Sequence, residues 1–265
     1  TPITSATSED GTNIVYGGTN DTHNGGTLKY VRVEYAGKKL TDNTSEMNGF
    51  SFYSVGSGTV LENLVAYKGA DDGFEFYGGT VSAKNLISYG NFDDSFDWQD
   101  GWRGDANTNW YAYQVVTGNY GMEIEAKSIN NAFGPKVSNI TLTRAAGTVT
   151  EGGSSANEFD AIQFKKEGNG EYTNVVISGY TTSNTTLTAT AVRIQDKSTN
   201  DNQVTGGKIK MLNVKINDGT SQFAGVGTTF TVAFPTGNYT TSTTATGATL
   251  TAGAWAIVDG VSLIK

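Results

Sequence analysis

The 265-residue chain has no cysteine, one histidine and only 3 prolines. The missing cysteines exclude a disulfide framework, a thiol nucleophile and any zinc-thiolate centre. The one histidine, His23, lies in a polar Gly/Asn-rich stretch and is expected at the surface. One such residue cannot build a multi-histidine metal site, and its surroundings do not suit a Ser-His-Asp triad. Runs of lysine or arginine are also absent, and the net charge is -8, which argues against nucleic acid and anionic membranes as partners. No hydrophobic run is long enough for a transmembrane segment, and no signal peptide is visible; a lipid anchor would have to lie outside this chain. The chain opens abruptly in polar sequence, as expected of a mature or truncated secreted protein. No convincing amphipathic helix is found.

What the chain does contain is glycine, 34 residues of it, together with abundant Thr, Ser and Asn, a composition that suits many short strands joined by polar turns. It also repeats itself. Asp71-Asp72-Gly73-Phe74-Glu75-Phe76 and Asp93-Asp94-Ser95-Phe96-Asp97-Trp98 are one segment written twice, 22 residues apart. Periods of this length signal a solenoid. Aligned on Phe74-x-Phe76, the register takes in Phe50-x-Phe52, Met122-x-Ile124, Ile162-x-Phe164 and Val192-x-Ile194, each pair preceded by Gly, Ser or Ala. Apolar residues at i and i+2 share one face of a strand, so the residues between them face the other way. That opposite column reads Ser51, Glu75, Asp97, Glu123, Gln163, Arg193.

A second column is an Asn ahead of an apolar strand, at Asn63, Asn85, Asn139, Asn174 and Asn213. Asn tolerates left-handed backbone and bonds locally, so the recurrence predicts a stacked turn ladder. Together these features predict an all-β fold, a right-handed parallel β-helix with rungs of about 22 residues. Longer spacings, 26 residues from Ser95 to Gly121 and 40 from Gly121 to Ala161, predict loop insertions on one flank. The helix is expected over residues 1–222, with 223–265 as a C-terminal β cap or a small separate β module.

Several ordered motifs carry a family resemblance: Tyr16-Gly17-Gly18-Thr19-Asn20-Asp21, Gly26 to Gly37, Glu46-Met47-Asn48-Gly49, the two Asp-Asp segments and Asp100-Gly101-Trp102-Arg103-Gly104. Over roughly residues 16–195 the chain resembles secreted or outer-membrane β-helical repeat proteins of Bacteroidetes and other Gram-negative bacteria, often lipoproteins or secretion cargo. The chain departs from that group at Trp98-Gln99, where small or acidic residues are usual. The resemblance implies a β-helix at the cell surface or outside the cell. The group is functionally uncharacterised, so no catalytic residue follows from it.

The chemistry rests on the acidic column. Neighbouring parallel strands lie ~4.8 Å apart, so Glu75, Asp97 and Glu123 should rise one above another. Two like charges at that spacing repel by about 1 kcal/mol in water and about 3–4 kcal/mol at an intermediate dielectric. A cation would relieve this. Asp71, Asp72, Asp93 and Asp105 add further carboxylate, and with Asp94 and Asp100 nearby an all-oxygen set without His or Cys favours Ca²⁺. The alternatives are a solvated acidic face or a different register. Asp72 and Asp94 also fit turn chemistry, their side chains bonding the next stretch of backbone.

Aromatic residues cluster beside the column. Trp98 falls in the inward register and reads as core, and Tyr35, Tyr67 and Tyr89 end equivalent strands as a structural stack. Trp102 and Trp110 fall outside that register and, with Arg103 and Tyr111, are the candidates to face a sugar ring. These features predict a glycan-binding or scaffold module that takes polysaccharide or a cell-surface glycan. The alternative is a polysaccharide-degrading enzyme, a glycoside hydrolase on the acidic face or a lyase with Arg103, Lys127 or Lys165 as base. The third is an adhesin that binds protein through inserted loops.

Overall fold

The computed structural model describes residues 5–8, 11–37, 47–127, 132, 134–153, 157–184, 187–227 and 229–265. Glu46 of the quoted motifs lies outside them. Two parallel sheets dominate. One has seven strands: Phe50–Tyr53, Phe74–Tyr77, Phe96–Gln99, Met122–Ile124, Ile162–Phe164, Thr190–Ile194 and Ser221–Gly225. The other has eight: Thr27–Glu34, Val60–Tyr67, Ala83–Tyr89, Asn107–Gln114, Lys136–Arg144, Gly170–Ser178, Ile209–Ile216 and Tyr239–Thr241. The chain alternates between the sheets and adds one strand to each per turn, which makes a right-handed parallel β-helix.

The register is the one the repeats predict: Phe50, Phe74, Phe96, Met122, Ile162 and Val192 pair across successive rungs. Their side chains fill the space between the sheets. Phe74 stacks on Phe50 at 4.9 Å and on Phe96 at 5.7 Å between ring centroids, and Phe76 stacks on Phe52 at 5.0 Å. Full burial of each such ring is worth about 1.5–3 kcal/mol. The small residue before each pair has a steric cause: a Cβ on Gly73 would lie 2.7 Å from the Ser95 carbonyl oxygen of the next rung.

The asparagines behave as a ladder, but inside the long strands of the eight-stranded sheet rather than ahead of them. Each sits at a left-handed bend, with φ of 56° to 58° at Asn63, Asn85, Asn139, Asn174 and Asn213. Asn85 donates to Asn63 at 2.8 Å and Asn174 to Asn139 at 2.7 Å. Asn109, at φ 59°, belongs to the same column and donates to Asn85 at 3.0 Å.

Longer connections fall at both corners instead of one flank. Residues 145–161 lead from the eight- to the seven-stranded sheet, and 195–208 lead back. The second contains a short helical turn, Lys197–Thr199 continuing as Asn200–Val204, which no sequence period announces. From residue 223 onward, Phe223 and Tyr239 still pair within the two sheets. The remaining chain runs back over the outer face of the eight-stranded sheet. Gly247 bonds Asn174, Ala248 bonds Thr141, Thr249 bonds Asn109, and the Ile257 carbonyl accepts from Arg32. Ala256, Val258 and Leu263 of this strap cover the outward residues Val65, Ile87 and Tyr111.

Candidate cation-binding face

On the outer side of the seven-stranded sheet, Ser51, Glu75, Asp97, Glu123, Gln163 and Arg193 stand in register. The acidic members are not a solvated surface. Glu75 is 3 % exposed and Asp97 8 %. Their carboxylates converge with those of the aspartates two residues before each inward pair. Oxygens of Asp72, Glu75 and Asp97 lie within 4.8 Å of one another, as do those of Asp94, Asp97 and Glu123. A further group, Asp71, Asp72 and Asp93, meets the same limit at the adjoining corner.

The turn chemistry expected of Asp72 and Asp94 is present as well. Asp72 Oδ1 accepts the Asp94 N–H at 2.9 Å, and Asp94 Oδ1 accepts the Tyr120 N–H at 2.6 Å. One oxygen of each thus ties a rung to the next while the carboxylate also faces the column.

The partners of the column are unequal. Glu75 accepts from Asn48 Nδ2 at 2.6 Å, from Gln99 Nε2 at 2.9 Å and from the Tyr77 hydroxyl. Glu123 takes an ion pair from Lys165, whose Nζ also lies 3.6 Å from Glu125. Asp97 Oδ1 is buried and has no hydrogen-bond partner among the described residues. Leaving a charged oxygen so is costly. Burial, then the neighbouring carboxylates, push Asp72, Asp94 and Asp97 well above the usual carboxylate range. Asp93 is pushed up to about 8, by burial first and then by Asp71. Lys165 pays a desolvation penalty, yet Glu123, Asp97 and Glu125 together raise it, so its amine stays protonated.

The five carboxylates of the column groups form a hard-oxygen set that fits Ca²⁺ better than a transition metal. Asp100, expected with them, stands apart: it accepts from the Tyr16 hydroxyl and pairs with Lys127 at 2.5 Å. Asp71, Asp72 and Asp93, expected as further carboxylate beside the column, join the acidic face. The doubled Asp-Asp motif was their signal.

The expected sugar-facing rings are largely elsewhere. Trp102 and Trp110 are 1 % and 0 % exposed. Trp102 stacks on Phe76 at 4.5 Å and donates to the Val81 carbonyl at 3.0 Å, and Trp110 donates to the Ala83 carbonyl at 3.1 Å. Both belong to the core and offer no ring face to a ligand. Trp110 follows Asn109 just as Leu64 follows Asn63. Reading Asn109 into the asparagine column would have placed it inward. Tyr111 points outward but lies under the strap, where its hydroxyl accepts the Lys265 N–H at 2.9 Å. Tyr67, Tyr89 and Tyr113 stack, one ring beyond the expected column, while Tyr35 meets Tyr67 edge-on.

Arg103 lies at a cleft of about 490 Å³ whose walls include Tyr16, Tyr53 and the exposed His23. It pairs there with Asp21 at 2.5 Å. Tyr16 packs on Tyr53 at 4.9 Å and on Tyr77 at 6.0 Å, and Tyr77 reaches Glu75, so cleft and acidic face adjoin. No helix among the described residues is long and apolar enough to cross a membrane.

Compared with models of known protein families, residues 2–258 match the one described as a pectate-lyase-like β-helix domain. The match covers nearly the whole chain; it does not single out the Bacteroidetes repeat group or any organism. No curated protein and no solved structure matches the chain.

Proposed function

The chain belongs to the pectate-lyase-like β-helix domain family, and from that premise we propose that it is a polysaccharide-binding β-helix whose buried acidic face holds calcium. The fold points to a carbohydrate-related role. The observation that carries the calcium reading is Asp97 Oδ1, buried and unpartnered among the described residues, where two carboxylate groups meet. In this reading the sugar rests on the cleft lined by Tyr16, Tyr53 and Arg103, because the tryptophans first considered for that role are core. An extracellular or cell-surface setting, where calcium is plentiful, is part of the proposal.

Binding is favoured over turnover by the state of the three basic residues that a lyase could use. Arg103, Lys127 and Lys165 are each engaged in an ion pair with a carboxylate. A proton-abstracting base must be deprotonated, and Lys165 is driven the other way.

Affinity electrophoresis of chelator-treated chain tests this, in gels cast with an acidic or a neutral polysaccharide, with and without added calcium. Calcium-dependent retardation without release of shortened sugar is expected. Release of unsaturated or reducing ends would replace binding by catalysis. Equal mobility in every gel would remove the polysaccharide role.

A further inference from the structure

The two carboxylate groups on the column are one arrangement repeated. In each, an aspartate ahead of the inward pair joins the column residue of its own rung and the column residue of the next: Asp72 with Glu75 and Asp97, then Asp94 with Asp97 and Glu123. Asp97 belongs to both. A third copy of the arrangement exists at Asp160, Gln163 and Arg193. There Asp160 Oδ1 accepts the Thr190 N–H at 2.6 Å, the same rung-to-rung bond that Asp72 and Asp94 make. Arg193, the column residue of the next rung, donates to Asp160 from Nε at 3.0 Å and from Nη2 at 2.9 Å. Asp160 is 0 % and Arg193 2 % exposed. In that rung, the fold supplies a positive charge from its own chain at the place where Asp72 and Asp94 face further carboxylates.

We infer that the acidic face takes two divalent cations, one per repeat, bridged by the Asp97 carboxylate, and that the Arg193 guanidinium is the built-in counterpart of those ions. The inference rests on the calcium reading above and deepens it by giving stoichiometry, ligands and order. The first ion enters the Asp72–Glu75–Asp97 group, where the donors to Glu75 among the described residues, Asn48, Gln99 and Tyr77, are neutral. The second enters the Asp94–Asp97–Glu123 group, where it competes with the Lys165 ammonium for Glu123. The two ions sit about one rung, ~4.8 Å, apart. Their repulsion makes the second affinity weaker, by about tenfold or more.

The test is calorimetric titration of calcium into the chelator-treated full chain and three near-isosteric variants, each checked for native circular dichroism. Wild type should bind two ions in two resolved steps. Glu75→Gln should lose the tight step and Glu123→Gln the weak one, while Asp97→Asn should lose both. A single step removed equally by Glu75→Gln and Glu123→Gln would overturn the pair yet leave one calcium site standing. Two steps that survive Asp97→Asn would overturn the bridge. No heat with wild type, and no change in melting temperature, would remove the calcium reading itself and the pair with it.

Discussion

An aspartate two residues before the inward pair is buried in three rungs, at Asp72, Asp94 and Asp160, and in each it holds the backbone N–H of the following rung. The rungs differ in what the next column residue brings. Asp160 meets Arg193, and nearby Asp196 is satisfied by Thr199, Ser198 and the Lys166 N–H. Asp72 meets Asp97, and Asp94 meets Glu123. Because parallel stacking repeats the geometry, one side chain per rung decides whether a buried carboxylate faces a positive or a negative neighbour. At Asp160 the later rungs are self-sufficient in charge, whereas the middle ones bring three carboxylates together twice, with Lys165 pairing only at the Glu123 end among the described residues.

Four experiments would break or sharpen this contrast. The largest effect is expected from Arg193→Met, which strands Asp160 as a buried unpaired charge. Stability should fall by about 3–5 kcal/mol in chemical denaturation, with or without calcium. If added calcium instead rescued it fully, the later rungs would not be self-sufficient.

Chelation of wild type should come next. An ion held at about 100 times its dissociation constant contributes about 2.7 kcal/mol. Its removal should therefore lower the melting temperature by roughly 5–10 °C in a chain of this size. A scanning calorimeter reads this directly.

Asp97→Asn should act in the opposite sense to Arg193→Met. In chelated protein it relieves repulsion with Glu75 and Glu123 and should stabilise by on the order of 1 kcal/mol. It should also abolish the calcium-induced shift in melting temperature. Destabilisation in the absence of calcium would mean that the Asp97 charge is already compensated.

The smallest effect concerns Asp196, the N-cap of the inserted helical turn. Burial opposes its ionisation, but bonds from Ser198, Thr199 and Lys166 prevail and hold it below the usual carboxylate range. Its contribution is therefore present above the unfolded value of about 3.9 and lost as pH falls through the folded value. Asp196→Ala should cost about 0.5–2 kcal/mol at pH 7 and progressively less as acid approaches that window. A pH series of denaturant midpoints checks the sign.

Much of the fold was legible because a parallel β-helix converts sequence period into spatial register. Residues 22 apart become neighbours, so Phe74 over Phe96 and Glu75 over Asp97 follow from counting. The asparagine column was legible for the same reason, although Asn109 escaped because its rung is filled by Trp110 and Tyr111 rather than by aliphatic residues. The acidic cluster was largely legible: Glu75, Asp97, Glu123 and Asp94 converge as expected, while Asp100 turns away to Lys127 and Tyr16.

By itself, then, the sequence determined the strand register, the inward and outward columns and the alignment of like charges, all consequences of local periodicity repeated at one spacing. Only the tertiary structure decided which outward residues meet water. Val65, Ile87 and Tyr111 are outward yet covered, because a strap from the far end of the chain crosses them. Trp102 lies in a turn yet is core, because the rungs leave a space that its ring fills against Phe76. Asp97 is outward yet buried, and its charge is left to the chemistry of its neighbours. Burial depends on contacts between segments remote in sequence, and no period records them.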